Sequence, residues 1–135
     1  MEKEKDDVFR EFTRKAMKRL KEKRVRKYET LHVPSLDGNI RIQNLNYEEI
    51  MECTEIDDSR DPNRSDKYAI YLAVVEPDLK KAAMELKEKG EIRECVEIVD
   101  MFEYGEITDL ATEIMRFSGV LGSRKVTVVE ELKNS

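Results

Sequence analysis

The sequence predicts a predominantly helical α+β fold: an N-terminal helix, a short β-hairpin, then a small bundle of four to five short helices. Three observations predict it. Apolar residues recur at spacings of three and four over residues 8–20 and again over 79–117, as one face of a helix requires. Two short runs of β-formers flank Asp37-Gly38, a hairpin signal. Glycines at 90, 105 and 119 divide the C-terminal half into short segments, each with one apolar stripe.

The first element is an amphipathic helix with Val8, Phe9, Phe12, Ala16, Met17 and Leu20 on one stripe. Beyond Leu20 the run KEKRVRK is almost all charge. Tyr28 to Val33 then reads as a strand, Pro34 to Asn39 as a loop, and Ile40 to Ile42 as the returning strand. Asn46 has the chemistry of a helix N-cap, and Glu49 three residues later completes a capping box. The helix it opens carries Tyr47, Ile50, Met51 and Thr54 on one face and ends near Ile56.

Residues 57–66 (DDSRDPNRSD) are the most loop-like in the chain. Aligned as a calcium loop from Asp57, they put Pro62 where the sharp turn needs glycine and Tyr68 where the last ligand must be glutamate. The metal reading fails. A linker that caps the next helix through Ser65 or Asp66 is expected instead. Tyr68 to Val75 is the most apolar run; it is read as a helix, with a strand as the weighed alternative. A break follows at Pro77, taken as the first position of another helix.

From Leu79 the stripe Leu79, Ala82, Ala83, Leu86 runs to a Gly90 cap. Ile92, Cys95, Val96 and Val99 predict a further helix reaching Phe102, with Gly105 as its stop. Ile107, Leu110, Ala111, Ile114 and Phe117 form the last stripe, closed by Gly119. The end, KVTVVEELKNS, is left open between a short strand, a helix and a loose tail.

Composition excludes several classes. The chain has 135 residues, 39% hydrophobic and 41% charged, which fits one small domain with a heavily charged surface. Two cysteines build no disulfide framework, no apolar run approaches the roughly 18 residues of a membrane helix, and MEKEKDDVF lacks a signal-peptide core. A soluble protein of the cytoplasm is expected. Catalytic signatures are missing as well. His32 is a lone histidine without a nucleophile, and Cys53 and Cys95 lie on apolar faces as small buried thiols do. One histidine and two separated cysteines assemble no zinc site. Gly119 to Lys125 lacks the spacing of a phosphate loop, and adjacent carboxylates such as Asp57/Asp58 and Glu130/Glu131 diverge. The expectation is a non-enzyme with no cofactor and no metal.

The net charge of −5 hides an asymmetry. Residues 1–27 hold 12 Lys/Arg against 6 Asp/Glu, a charge of +6, whereas residues 28–135 hold 13 against 24, a charge of −11. The division places a basic arm, helical or partly disordered, over 1–27 and a single α+β domain over 28–135. A solvated or self-docking helix is preferred over a nucleic-acid arm for the first segment, because charge runs are mostly solvated faces.

The segments AVVEPDLKKAAMELKEKG, ECVEIVDMFEYGEITDLATEIMRFSGV and VEELKN resemble the XkdN-like phage tail assembly chaperones over roughly residues 30–134. The pattern is an apolar run, a proline-started helix with leucine two residues on, and an "ML..GE...L" motif. That motif stands here as Met101-Phe102-Glu103-Tyr104-Gly105-Glu106-Ile107-Thr108-Asp109-Leu110. The chain departs from the family at residues 1–27, which are more basic. The resemblance implies a phage or prophage protein of the bacterial host cytoplasm that keeps the tape-measure protein soluble during tail assembly. Its partners would be that protein or other tail assembly proteins, with a homo-oligomer possible and no membrane or nucleic acid. The expected partner face is the neighbourhood of Met101, Phe102, Tyr104, Ile107 and Leu110. Met51, Met84, Met101 and Met115 supply adaptable side chains for such a surface. The rival readings are a nucleic-acid-binding regulator that uses the basic arm and a structural tail or baseplate subunit.

Overall fold

A computed structural model describes residues 2–56, 59–61, 63–120 and 126–129. Helix α1 (Glu2–Arg24) leads into a hairpin of β1 (Tyr28–Val33) and β2 (Gly38–Gln43), followed by α2 (Tyr47–Thr54), α3 (Arg64–Ala73), β3 (Val74–Glu76), α4 (Leu79–Glu88), a 3₁₀ segment (Cys95–Met101) and α5 (Tyr104–Phe117). The fold is therefore the predominantly helical α+β class that the sequence predicts.

The hairpin is antiparallel, with Tyr28 opposite Gln43 and Val33 opposite Gly38. Its turn is tighter than expected. Pro34–Leu36 form one 3₁₀ turn, and Asp37 takes the left-handed conformation at φ 47° to reverse the chain. Along β2 the side chains alternate, so Ile40 and Ile42 are buried while Asn39 and Arg41 face water.

The run from Tyr68 to Val75 divides in a way periodicity does not foretell. It is helical through Ala73, then Val74–Glu76 becomes a third strand on the far edge of β2, pairing Arg41 with Glu76 and Ile42 with Val74. Two causes act together. The residue before Pro77 is pushed toward extended backbone, and the free edge of β2 needs hydrogen-bond partners. Pro77 consequently lies before the cap of α4 rather than in its first turn; Asp78 is the cap, accepting from the Lys81 amide at 3.1 Å. Likewise α3 begins at Arg64 with Asn63 at the cap position, and the Ser65 hydroxyl, one residue further on, donates to the Cys53 carbonyl at 2.7 Å.

The expected helix over Ile92–Phe102 is a 3₁₀ segment limited to Cys95–Met101. Val96, Ile98 and Val99 are β-branched and lose side-chain freedom in an α-helix, and the tighter turn still buries Ile98 and Val99. Gly105 does not end that segment. It sits in the first turn of α5, because the Glu106 carboxylate accepts from the Glu103 amide at 2.9 Å and so places the helix start at Glu103. Gly90 and Gly119, at φ 77° and 86°, do terminate α4 and α5.

The core lies between the inner face of the sheet and the helices. Ile42, Ile70, Ile114, Val33, Val99 and Cys53 are its most enclosed side chains. Helix α3 is central, touching α2, α5 and the 3₁₀ segment, while α4 packs against the 3₁₀ segment. No residue of α1 is buried. Residues 126–129 are exposed and without regular structure; Glu130 to Ser135, Gly122 to Lys125, and the Asp57/Asp58 pair lie outside the described residues.

Candidate partner-binding surfaces

Two surfaces combine apolar character with exposure. The first is a groove of about 440 Å³ on the body. One wall is α4, whose amphipathic spacing turns Leu79, Ala82 and Leu86 to this side. The opposite wall is the 3₁₀ segment and the loop before it, which bring Ile92, Ile98 and Met101, while Leu36 from the hairpin turn and Pro77 close one end. The only charged side chains lining it, among the described residues, are Asp78 and Glu97. Both carboxylates cap nearby backbone, Asp78 on Lys81 and Glu97 accepting from the Arg93 amide at 3.1 Å. The groove is thus apolar along its floor and negative at its rim.

The second surface is the stripe of α1. Val8, Phe9, Phe12, Met17 and Leu20 all stand in water, with Phe9 and Phe12 each 70% exposed. The polar flanks are internally paired in part, through Arg14 with Glu11 and Arg19 with Glu22.

The five residues expected to form one partner face are separated by the fold. Met101 lines the groove and is 45% exposed, and Tyr104 is exposed on a neighbouring face beside Asp61 and Lys67. Phe102, Ile107 and Leu110 are instead buried in the chain's own core. The connection between the 3₁₀ segment and α5 is two extended residues, Phe102 and Glu103, and the Phe102 ring is enclosed in the core. A side chain enclosed by its own protein has no surface to present. Of the methionines, Met51 and Met84 are exposed and Met115 packs partly on the core.

Lys67 bridges Asp61 and Asp100 at 3.0 and 2.8 Å, and the two carboxylates hold its ammonium above the usual lysine range. Burial pushes the Cys53 thiol up to about 11, and the Glu52 carboxylate, which accepts from Tyr68 at 2.8 Å, pushes that phenol up to about 12. His32 is exposed, its Nδ1 2.9 Å from Asn39 Oδ1. Among the described residues, no three His, Cys, Asp or Glu side chains gather as metal ligands, and no helix is long and apolar enough to cross a membrane.

Comparison with protein-family models, with curated proteins and with solved structures finds no match to this chain.

Proposed function

We propose that this chain is a non-enzymatic assembly chaperone of a phage tail, which binds apolar helical segments of the tape-measure protein and keeps them in solution. The observation that carries the reading is the open groove between α4 and the 3₁₀ segment. Its floor of Leu79, Ala82, Leu86, Ile98 and Met101 is apolar and is rimmed by the carboxylates of Asp78 and Glu97. Met101 at its edge supplies an unbranched, polarisable side chain that adapts to successive client sequences. The resemblance of residues 30–134 to the XkdN-like chaperones supplies the identity of the client. Co-expression with the tape-measure protein of the encoding phage or prophage tests it. The client should become soluble and co-purify with the wild type, and Met101→Asp should leave it insoluble. A client that stays insoluble with the wild type sinks the reading.

A second reading rests on α1. Between Val8 and Arg24 the chain carries eight Lys/Arg against two acids, all on a helix without a buried residue. A nucleic-acid-binding regulator using this helix would bind duplex DNA or RNA with a steep salt dependence, lost on removing residues 1–27.

A further inference from the structure

Helix α1 ends in a clamp that sets its direction. One guanidinium nitrogen of Arg26 donates to the Asn44 carbonyl and to Glu49, the Lys27 amide donates to Asn44 Oδ1 at 2.8 Å, and the Asn44 amide donates back to the Lys27 carbonyl at 3.1 Å. Val25 alone separates the helix from this knot. The 23 residues of α1, about 35 Å long, therefore project from the body, and only the last turns border it, where Arg19, Glu22 and Lys23 line a cleft with Asn44 and Tyr47. With one residue, Val25, between the helix and the clamp, α1 has no linker on which to fold back over its own body.

A helix of this kind gains most of its stability from packing, so an uncovered stripe points to a surface on another molecule. Charge selects which surface. Two α1 helices laid parallel would bring together their basic stretches over residues 8–24, each with eight Lys/Arg against two acids, which is unfavourable. The groove offers the opposite sign: its lining charges are Asp78 and Glu97, with no Lys or Arg among the described lining residues, on a body segment of charge −11. Apolar stripe meets apolar floor, and basic flank meets acidic rim.

We propose that α1 of one copy lies in the groove between α4 and the 3₁₀ segment of a second copy, and that the contact is made twice in a two-fold dimer. Reciprocal insertion closes the assembly and uses up both stripes and both grooves. It covers four phenylalanines, each with roughly 150–250 Å² to bury, together with two copies of Val8 and Leu20 and the groove floors, which reaches the class of a standard interface of about 1,600 Å². The arm then occupies the surface assigned above to the client, so the client must displace it. That last clause rests on the proposed function; the dimer does not.

Sedimentation equilibrium on the full chain, with no client present, decides it. The wild type should show twice the 15.9 kDa mass of the monomer, weakening ~tenfold when salt is raised beyond the range of charge pairing. The double variant Phe9→Asp/Phe12→Asp should be monomeric with an unchanged far-ultraviolet circular dichroism spectrum, because neither ring is buried within its own chain. Met101→Asp, or the independent Ala82→Asp, should be monomeric as well. Mixing the α1 variant with Met101→Asp should restore a weaker heterodimer, since that pair retains one intact arm and one intact groove. The proposal is overturned by a wild type that is monomeric at all concentrations, including one that instead binds duplex DNA through α1. It is equally overturned by a dimer that Met101→Asp and Ala82→Asp leave intact. A monomer that still solubilises the tape-measure protein would sink the dimer alone, and a dimer that ignores that protein would sink the chaperone reading alone.

Discussion

Arg26 donates through a single guanidinium nitrogen both to the Glu49 carboxylate, at 2.6 Å, and to the main-chain carbonyl of Asn44, at 2.7 Å. The same Glu49 oxygen accepts from the Asn46 amide at 2.9 Å and so completes the capping box of α2. One carboxylate therefore fixes the start of a helix and the exit of another. Arg26→Ala should lower the stability of the body by about 1 kcal/mol, the range of a charge-assisted bond that is partly exposed. Burial opposes ionisation of Glu49, but the bonds from Arg26 and Asn46 outweigh it and hold the carboxyl below its usual range. A lowered pKa gives stability that is present above the ordinary value of 4.5 and is lost as pH falls through the folded-state value. Urea titrations of wild type and Arg26→Ala should accordingly differ at neutral pH and converge as pH falls below the lowered folded-state value of Glu49.

A second carboxylate joins the hairpin turn to α5. Glu106 accepts from the Ser35 hydroxyl, from the Ser35 amide at 3.0 Å and from the Glu103 amide at 2.9 Å. The Ser35 hydroxyl, then its amide, then that of Glu103 hold the Glu106 carboxyl below the usual range. Ser35→Ala should move the Glu106 pKa back up, as read by NMR titration of its side-chain carbons. An unchanged titration would show that the Ser35 contact does not persist in solution.

Phe102 and Met101 are neighbours with opposite roles. Phe102→Ala should destabilise the fold by about 3–5 kcal/mol through lost burial and a residual cavity. Met101→Ala, at the open rim of the groove, should alter stability by less than ~1 kcal/mol. Chemical denaturation of the two variants checks both values, and similar losses would contradict these two placements.

The two thiols should react unequally. Cys53, on the buried face of α2, has its pKa raised to about 11, while Cys95 is partly exposed. Brief alkylation with iodoacetamide in mildly alkaline buffer should label Cys95 alone, and both after denaturation, as counted by mass spectrometry. Native labelling of Cys53 at the rate of Cys95 would mean that the α2–α3 contact opens readily.

Much of the fold is legible in the chain because its signals act over a few residues. The limits of β1 follow from its β-formers and from the clamp of Pro34 and Asp37. Asn46 and Glu49 form the capping box that their spacing predicts, and the stripes of α4 and α5 end at Gly90 and Gly119. Each of these is a contact within about one helical turn or one tight turn, so the local sequence suffices.

What the sequence could not supply are the decisions made by distant partners. Val74–Glu76 is a strand because β2 has a free edge to offer; the β-branched Val74 and Val75 and the following Pro77 permit a strand there without requiring one. Phe102 is enclosed and Met101 exposed because the 3₁₀ segment packs on a core that α3 and α5 share. The sharpest case is a pair of stripes that look alike in sequence. Ile107, Leu110 and Ile114 are enclosed, whereas Phe9, Phe12 and Leu20 stand in water. Sequence by itself determined that both helices have an apolar face. Only the tertiary structure decided which face is covered, because the Arg26 clamp to Asn44 and Glu49 sends α1 away from the core that α5 completes.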